Sequence, residues 1–134
     1  MKNELEGRKI DQSRLIFADR VGDINEHINR LKLADIFLDT YPYNGHTGIS
    51  DSLFQSCVPT ISLTGNSFAS RVSYSLLNSL NLKNLVTYTT EEYAKKIEYY
   101  TSNKNELKKI RQDLINFKKK NMNRMKNFTK EIKT

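Results

Sequence analysis

A chain of 134 residues, 37% hydrophobic and 28% charged, is long enough for one domain with a real core, is too short for two independent ones, and is not disordered in composition. No apolar run approaches the roughly 20 residues needed to span a bilayer. The N-terminus "MKNELEGRKIDQ" lacks the apolar stretch of a secretory signal and Cys57 has no second cysteine to pair with, which together point to a reducing, cytoplasmic setting.

The pattern along the chain alternates. Residues 2 to 9 read as the end of a helix and "RLIFA" (14 to 18) as a short strand. "DINEHINRLKLA" (23 to 34) is helical, with Asp23 as N-cap and Glu26 as its capping-box partner. "DIFLD" (35 to 39) is a second strand, followed by helix 47 to 57, strand "PTISL" (59 to 63), helix 68 to 80, a short "LVT" strand (85 to 87) and helix 90 to 102. Five-residue strands alternating with helices of 10 to 13 residues imply a parallel sheet, because parallel neighbours need crossover helices. The expected fold class is therefore α/β, a Rossmann-like doubly wound sheet with helices on both faces, in a single domain over residues 1 to 134. About four strands and an opening inside a helix suggest part of something larger.

Residues 104 to 134 close the chain as a basic helical extension. They hold eleven Lys/Arg against three Asp/Glu, leaving eleven against twelve elsewhere, so the whole charge of +7 sits here. Leu107, Ile110, Leu114 and Phe117 recur at spacings of three and four, the mark of a helix that packs one apolar stripe and solvates a basic face. Binding of RNA or an acidic membrane is the competing reading, and no Arg-Gly repeats or interleaved aromatics support it.

The segment "YPYNGHTGIS" (41 to 50) stands where a strand hands over to a helix, the place where open α/β sheets bind ligands. Asn44-Gly45 allows a tight turn with positive φ, Gly48 lets a ligand approach the backbone, and the free N–H groups of the helix start suit a phosphate. His46 and Thr47 add side-chain donors. Asp51, four residues after Thr47, can accept two hydrogen bonds from a ribose. Phosphate donors followed by a diol acceptor suggest a nucleotide, although the same residues also serve as ordinary turn, cap and helix-dipole vocabulary.

The run "LADIFLDTYPYNGHTGISDSLFQSCVPTISLTGNSFASRVSYSLL" resembles the C-terminal part of the O-GlcNAc transferase / SPINDLY family, and the similarity extends from about Arg14 to Leu114. The resemblance implies the C-terminal half of a GT-B glycosyltransferase, whose donor is a UDP-sugar, in this case UDP-GlcNAc, with no further cofactor and no metal. It also implies that His46 and Thr47 meet the pyrophosphate, that Asp51 holds the ribose, and that His27, Arg30 and the backbone at Gly22 lie on the uracil side. Two positions depart from the animal-type pattern. Ile24 stands where a lysine is usual and Gly48 where a second threonine is, which leaves a different sugar open. Cys57 is expected as a buried thiol.

The family's catalytic lysine and glutamine, its acceptor-side half and its tetratricopeptide repeats would lie upstream of this chain. The resemblance thus implies a donor-binding part, inactive alone, whose partners are the missing half and, through it, a protein acceptor. The alternative is a non-catalytic nucleotide-binding or interaction module.

Overall fold

The computed structural model describes residues 2–132, with side chains described from 3 to 123. A short helix α1 (Lys2–Gly7) leads to a single 3₁₀ turn at Gln12–Arg14. Helix α2 (Ile24–Leu31) starts where expected, because the Asp23 carboxylate accepts the Glu26 N–H at 2.9 Å and so satisfies one of the helix's free donors. Strand β1 (Phe37–Leu38) then enters the loop that leads to α3 (His46–Ser50). Strand β2 (Thr60–Leu63), helix α4 (Val72–Ser79) and strand β3 (Val86–Thr87) follow, then α5 (Thr90–Ser102) and the long α6 (Lys104–Ile132).

The three strands form a parallel sheet in the order β1-β2-β3, with Phe37 opposite Thr60 and Ser62 opposite Val86. All four residues of the central strand are buried, as a strand covered on both faces requires. Ile61 packs with Ile49, Leu53, Leu77 and Leu85, and Tyr100 of α5 with Leu107, Ile110 and Leu114 of α6 joins the same core. The α/β architecture and the helical tail are those the sequence implies.

Three expectations need correction. Residues 14 to 18 are not a strand: Ile16 is 85% and Phe17 61% exposed, and a strand without a hydrogen-bonded neighbour gains nothing from extended backbone. Helix 47 to 57 begins one residue earlier and ends in a widened π turn over Asp51–Gln55, where the Ser56 N–H reaches back five residues to the Asp51 carbonyl. Of the four stripe residues in α6, Phe117 is 39% exposed and meets only the edge of the core through Phe54, at 6.3 Å between ring centroids. The last two residues of the basic extension, and its side chains from 124 on, lie outside the described residues.

Candidate functional site

The loop between β1 and α3 is organised by Asp39, which the sequence marks only as the last residue of a strand. Its buried carboxylate accepts the backbone N–H of Thr40 at 2.9 Å and of Gly45 at 2.8 Å through Oδ1, and the Ser62 hydroxyl at 2.6 Å through Oδ2. A buried carboxylate with three donors is satisfied, and it ties both ends of the loop to the neighbouring strand. Asn44, fully buried, donates its amide to the Thr40 carbonyl at 3.0 Å, and its own N–H donates to the Ala69 carbonyl at 2.9 Å. The expected positive-φ turn at Asn44-Gly45 is absent. Gly45 has φ −74°, and its role is to bring its N–H onto Asp39.

That frame presents His46 as the first residue of α3. Its imidazole stacks on Tyr43, with centroids 4.9 Å apart and planes 18° from parallel, and meets the Phe68 ring edge-on at 6.2 Å. The ring is thereby fixed, while its Nε2 is buried and has no hydrogen-bond partner among the described residues. Gly45, as N-cap, offers no side chain to the helix start, so the first-turn N–H groups are not capped by a side chain either. Thr47 is exposed beside them and Gly48 half-buried.

Asp51 sits where the α turn widens, its N–H still donating to the Thr47 and Gly48 carbonyls. Its Oδ2 lies 3.6 Å from His27 Nε2, and His27 Nδ1 in turn lies 3.5 Å from Arg30 Nη2. Arg30 also donates to the Asp19 carbonyl at 2.5 Å, which pins the loop before α2 to the helix. Three of the residues singled out in the sequence, from two separate helices, thus form one connected row. Gly22 is exposed just ahead of Asp23, with open space where a side chain would stand. Asp51 also borders a hollow of about 410 Å³ that includes Ile24, Lys32 and Lys118.

Asp39, Tyr43, Ser62 and Phe68 escaped the sequence reading. Tyr43, three residues before His46, carried a local signal, whereas Ser62 and Phe68 are brought in only by the fold. Cys57 is buried, and burial pushes its thiol up despite nearby Lys118, Arg111 and Lys32, as suits a packing residue rather than a nucleophile.

The family pattern described as glycosyl transferase family 41 matches residues 1–132. The chain is 33% identical over 110 residues to the "Probable UDP-N-acetylglucosamine--peptide N-acetylglucosaminyltransferase SPINDLY" of Solanum lycopersicum, which covers 82% of this chain and 11% of that protein. It is 41% identical over 86 residues to the UDP-N-acetylglucosamine--peptide N-acetylglucosaminyltransferase of Caenorhabditis elegans, covering 64% of this chain and 7% of that one. Among solved structures, a lysine-to-methionine mutant of the Thermobaculum terrenum O-GlcNAc transferase superposes with a TM-score of 0.82 at 28% identity, over 89% of this chain and 22% of that one. The chain therefore spans about a tenth of the length of the curated relatives it matches. From these matches, the chain belongs to glycosyl transferase family 41.

Proposed function

We propose that this chain is the donor-binding part of a protein O-GlcNAc-transferase-like enzyme and takes a UDP-sugar, UDP-GlcNAc by analogy with the names of its relatives. The observation that carries the reading is His46 Nε2, a buried polar atom without a partner among the described residues, at a helix start that no side chain caps. A diphosphate there would supply the missing acceptor and meet the free N–H groups and the helix dipole together. Asp51, one turn on, would accept from the ribose hydroxyls. The row Asp51–His27–Arg30 would then lead toward the base, whose edge the Gly22 backbone would meet.

The role assigned to these residues is binding and orientation, with His46 and the helix start offsetting charge that grows on the diphosphate as the sugar leaves. The acceptor would be a protein, reached through parts of the enzyme beyond this chain.

Calorimetry with UDP tests the reading. Binding at millimolar UDP or below is expected, and His46→Ala should weaken it by roughly 1.5 to 3 kcal/mol, the range for a hydrogen bond to a charged group. Absence of heat from a chain shown to be folded by circular dichroism would refute it.

A further inference from the structure

A second hollow opens on the other side of the β1–α3 loop, at the carboxyl ends of β2 and β3, with a volume of about 450 Å³. Tyr41, Tyr74 and Tyr88 wall it, and Arg71 stands at its lip with Asn66. Among the described residues no carboxylate lines it. Among the described residues, the side chains of Arg71, Asn66 and the three tyrosines make no hydrogen bond or ion pair.

The floor is built, not loose. The Gly65 N–H and the Thr64 hydroxyl both donate to the Ser70 carbonyl, at 3.0 and 3.1 Å, and Ser67 and Ser70 cap each other's backbone. Gly65 is required for a steric reason: a Cβ there would stand 2.7 Å from Ser70 Oγ and 3.1 Å from the Tyr41 ring. Its lack of a side chain lets Tyr41 lie against the loop and form one wall.

We propose that this hollow binds a small organic anion that carries a ring, with Arg71 taking the phosphate or carboxylate and the tyrosine faces taking the ring. The chemistry is complementary on each count. A guanidinium forms two parallel hydrogen bonds to such an anion, phenols donate to further oxygens, and tyrosine faces stack on flat or sugar rings. Neither His46, Thr47 nor Asp51 lines this hollow. The proposal stands independently of the UDP reading.

The test is an NMR titration of the full chain with three probes: phenyl phosphate, inorganic phosphate and phenol. Phenyl phosphate should shift the amides of Gly65, Asn66 and Tyr88 and bind at least about tenfold more tightly than either of the others, because it alone satisfies both halves of the site. Arg71→Ala should weaken it by about tenfold or more, Arg71→Lys by less, and neither should change the melting temperature or the affinity for UDP. Equal binding of inorganic phosphate, insensitivity to Arg71→Ala, or shifts spread along the basic helix α6 instead of gathered at the hollow would each overturn the proposal.

Discussion

Asp39 organises the β1–α3 loop from a buried position. Its two carboxylate oxygens receive donors from Thr40, Gly45 and Ser62, and its carbonyl accepts the Tyr93 hydroxyl at 2.9 Å. Ser62→Ala removes one hydrogen bond to a buried charge, so it should lower stability by about 1.5 to 3 kcal/mol in urea denaturation. A change below about 0.5 kcal/mol would mean that Ser62 does not hold the carboxylate. Tyr93 gives a pH signature from the same cluster. Burial, with the nearby Asp39 charge adding to it, pushes its phenol up to about 12 from an ordinary value near 10. A raised folded value means that the unfolded chain loses the proton first, so the contribution is fully present below pH 10 and is lost as pH rises toward 12. The chain should therefore melt at falling temperature across that window, and Tyr93→Phe should show a shallower fall, compared side by side by thermal unfolding. The sequence shows Asp39 only at a strand end, because its key donor Ser62 stands 23 residues away and reaches it only through the pairing of β1 with β2.

Among the elements, those with local signals were legible and those that depend on distant neighbours were not. Helix α5 occupies the expected residues because Thr89 accepts the Glu92 N–H and its stop lies in "SNK". Strand β2 was legible as a short run between turns, although only Ile61 and Leu63 in it are apolar; the buried hydroxyls of Thr60 and Ser62 are taken up by Ser52 and Asp39, partners that only the fold supplies. Residues 14 to 18 failed for the converse reason: apolar spacing describes what a strand would bury, and among the described residues nothing lies alongside to be paired. The stripe in α6 was read correctly at Leu107, Ile110 and Leu114, all buried, and overstated at Phe117. Leu114→Ala should consequently cost about 2 to 5 kcal/mol, the lost burial plus the cavity left behind. Reversing the charge of exposed Lys119 and Lys120 should change stability by less than about 0.5 kcal/mol, and reversing Lys118, which donates to the Gln55 carbonyl at 2.6 Å, somewhat more. If instead the lysine variants destabilise as much as Leu114→Ala, the basic face is not merely solvated.

Over the whole molecule, the C-terminal helix and the candidate site are mechanically linked. Arg111 of α6 donates to the Lys32 carbonyl at 3.1 Å, at the C-cap of α2, and to the Ala34 carbonyl two residues further on; α2 is the helix that carries His27 and Arg30. A guanidinium there satisfies two carbonyls just past the helix end, at and beyond its C-cap, and its charge complements the helix dipole. It also ties the chain just after α2 to the helix whose Leu107, Ile110 and Leu114 complete the core. None of this was legible in the basic tail, where Arg111 is one of eleven cations and its partners lie 77 and 79 residues back. Arg111→Ala should then do two things at once. Loss of charge-assisted bonds to carbonyls should lower stability by roughly 1.5 to 3 kcal/mol. Hydrogen exchange should show α2 amides opening faster than those of β2, and UDP affinity should fall although Arg111 does not line the site. Arg111→Lys, which keeps the charge but not the two-pronged geometry, should recover only part of the protection. Uniform acceleration of exchange across α2 and β2 alike would show that Arg111 supports the fold in general, with no particular hold on the helix that bears His27.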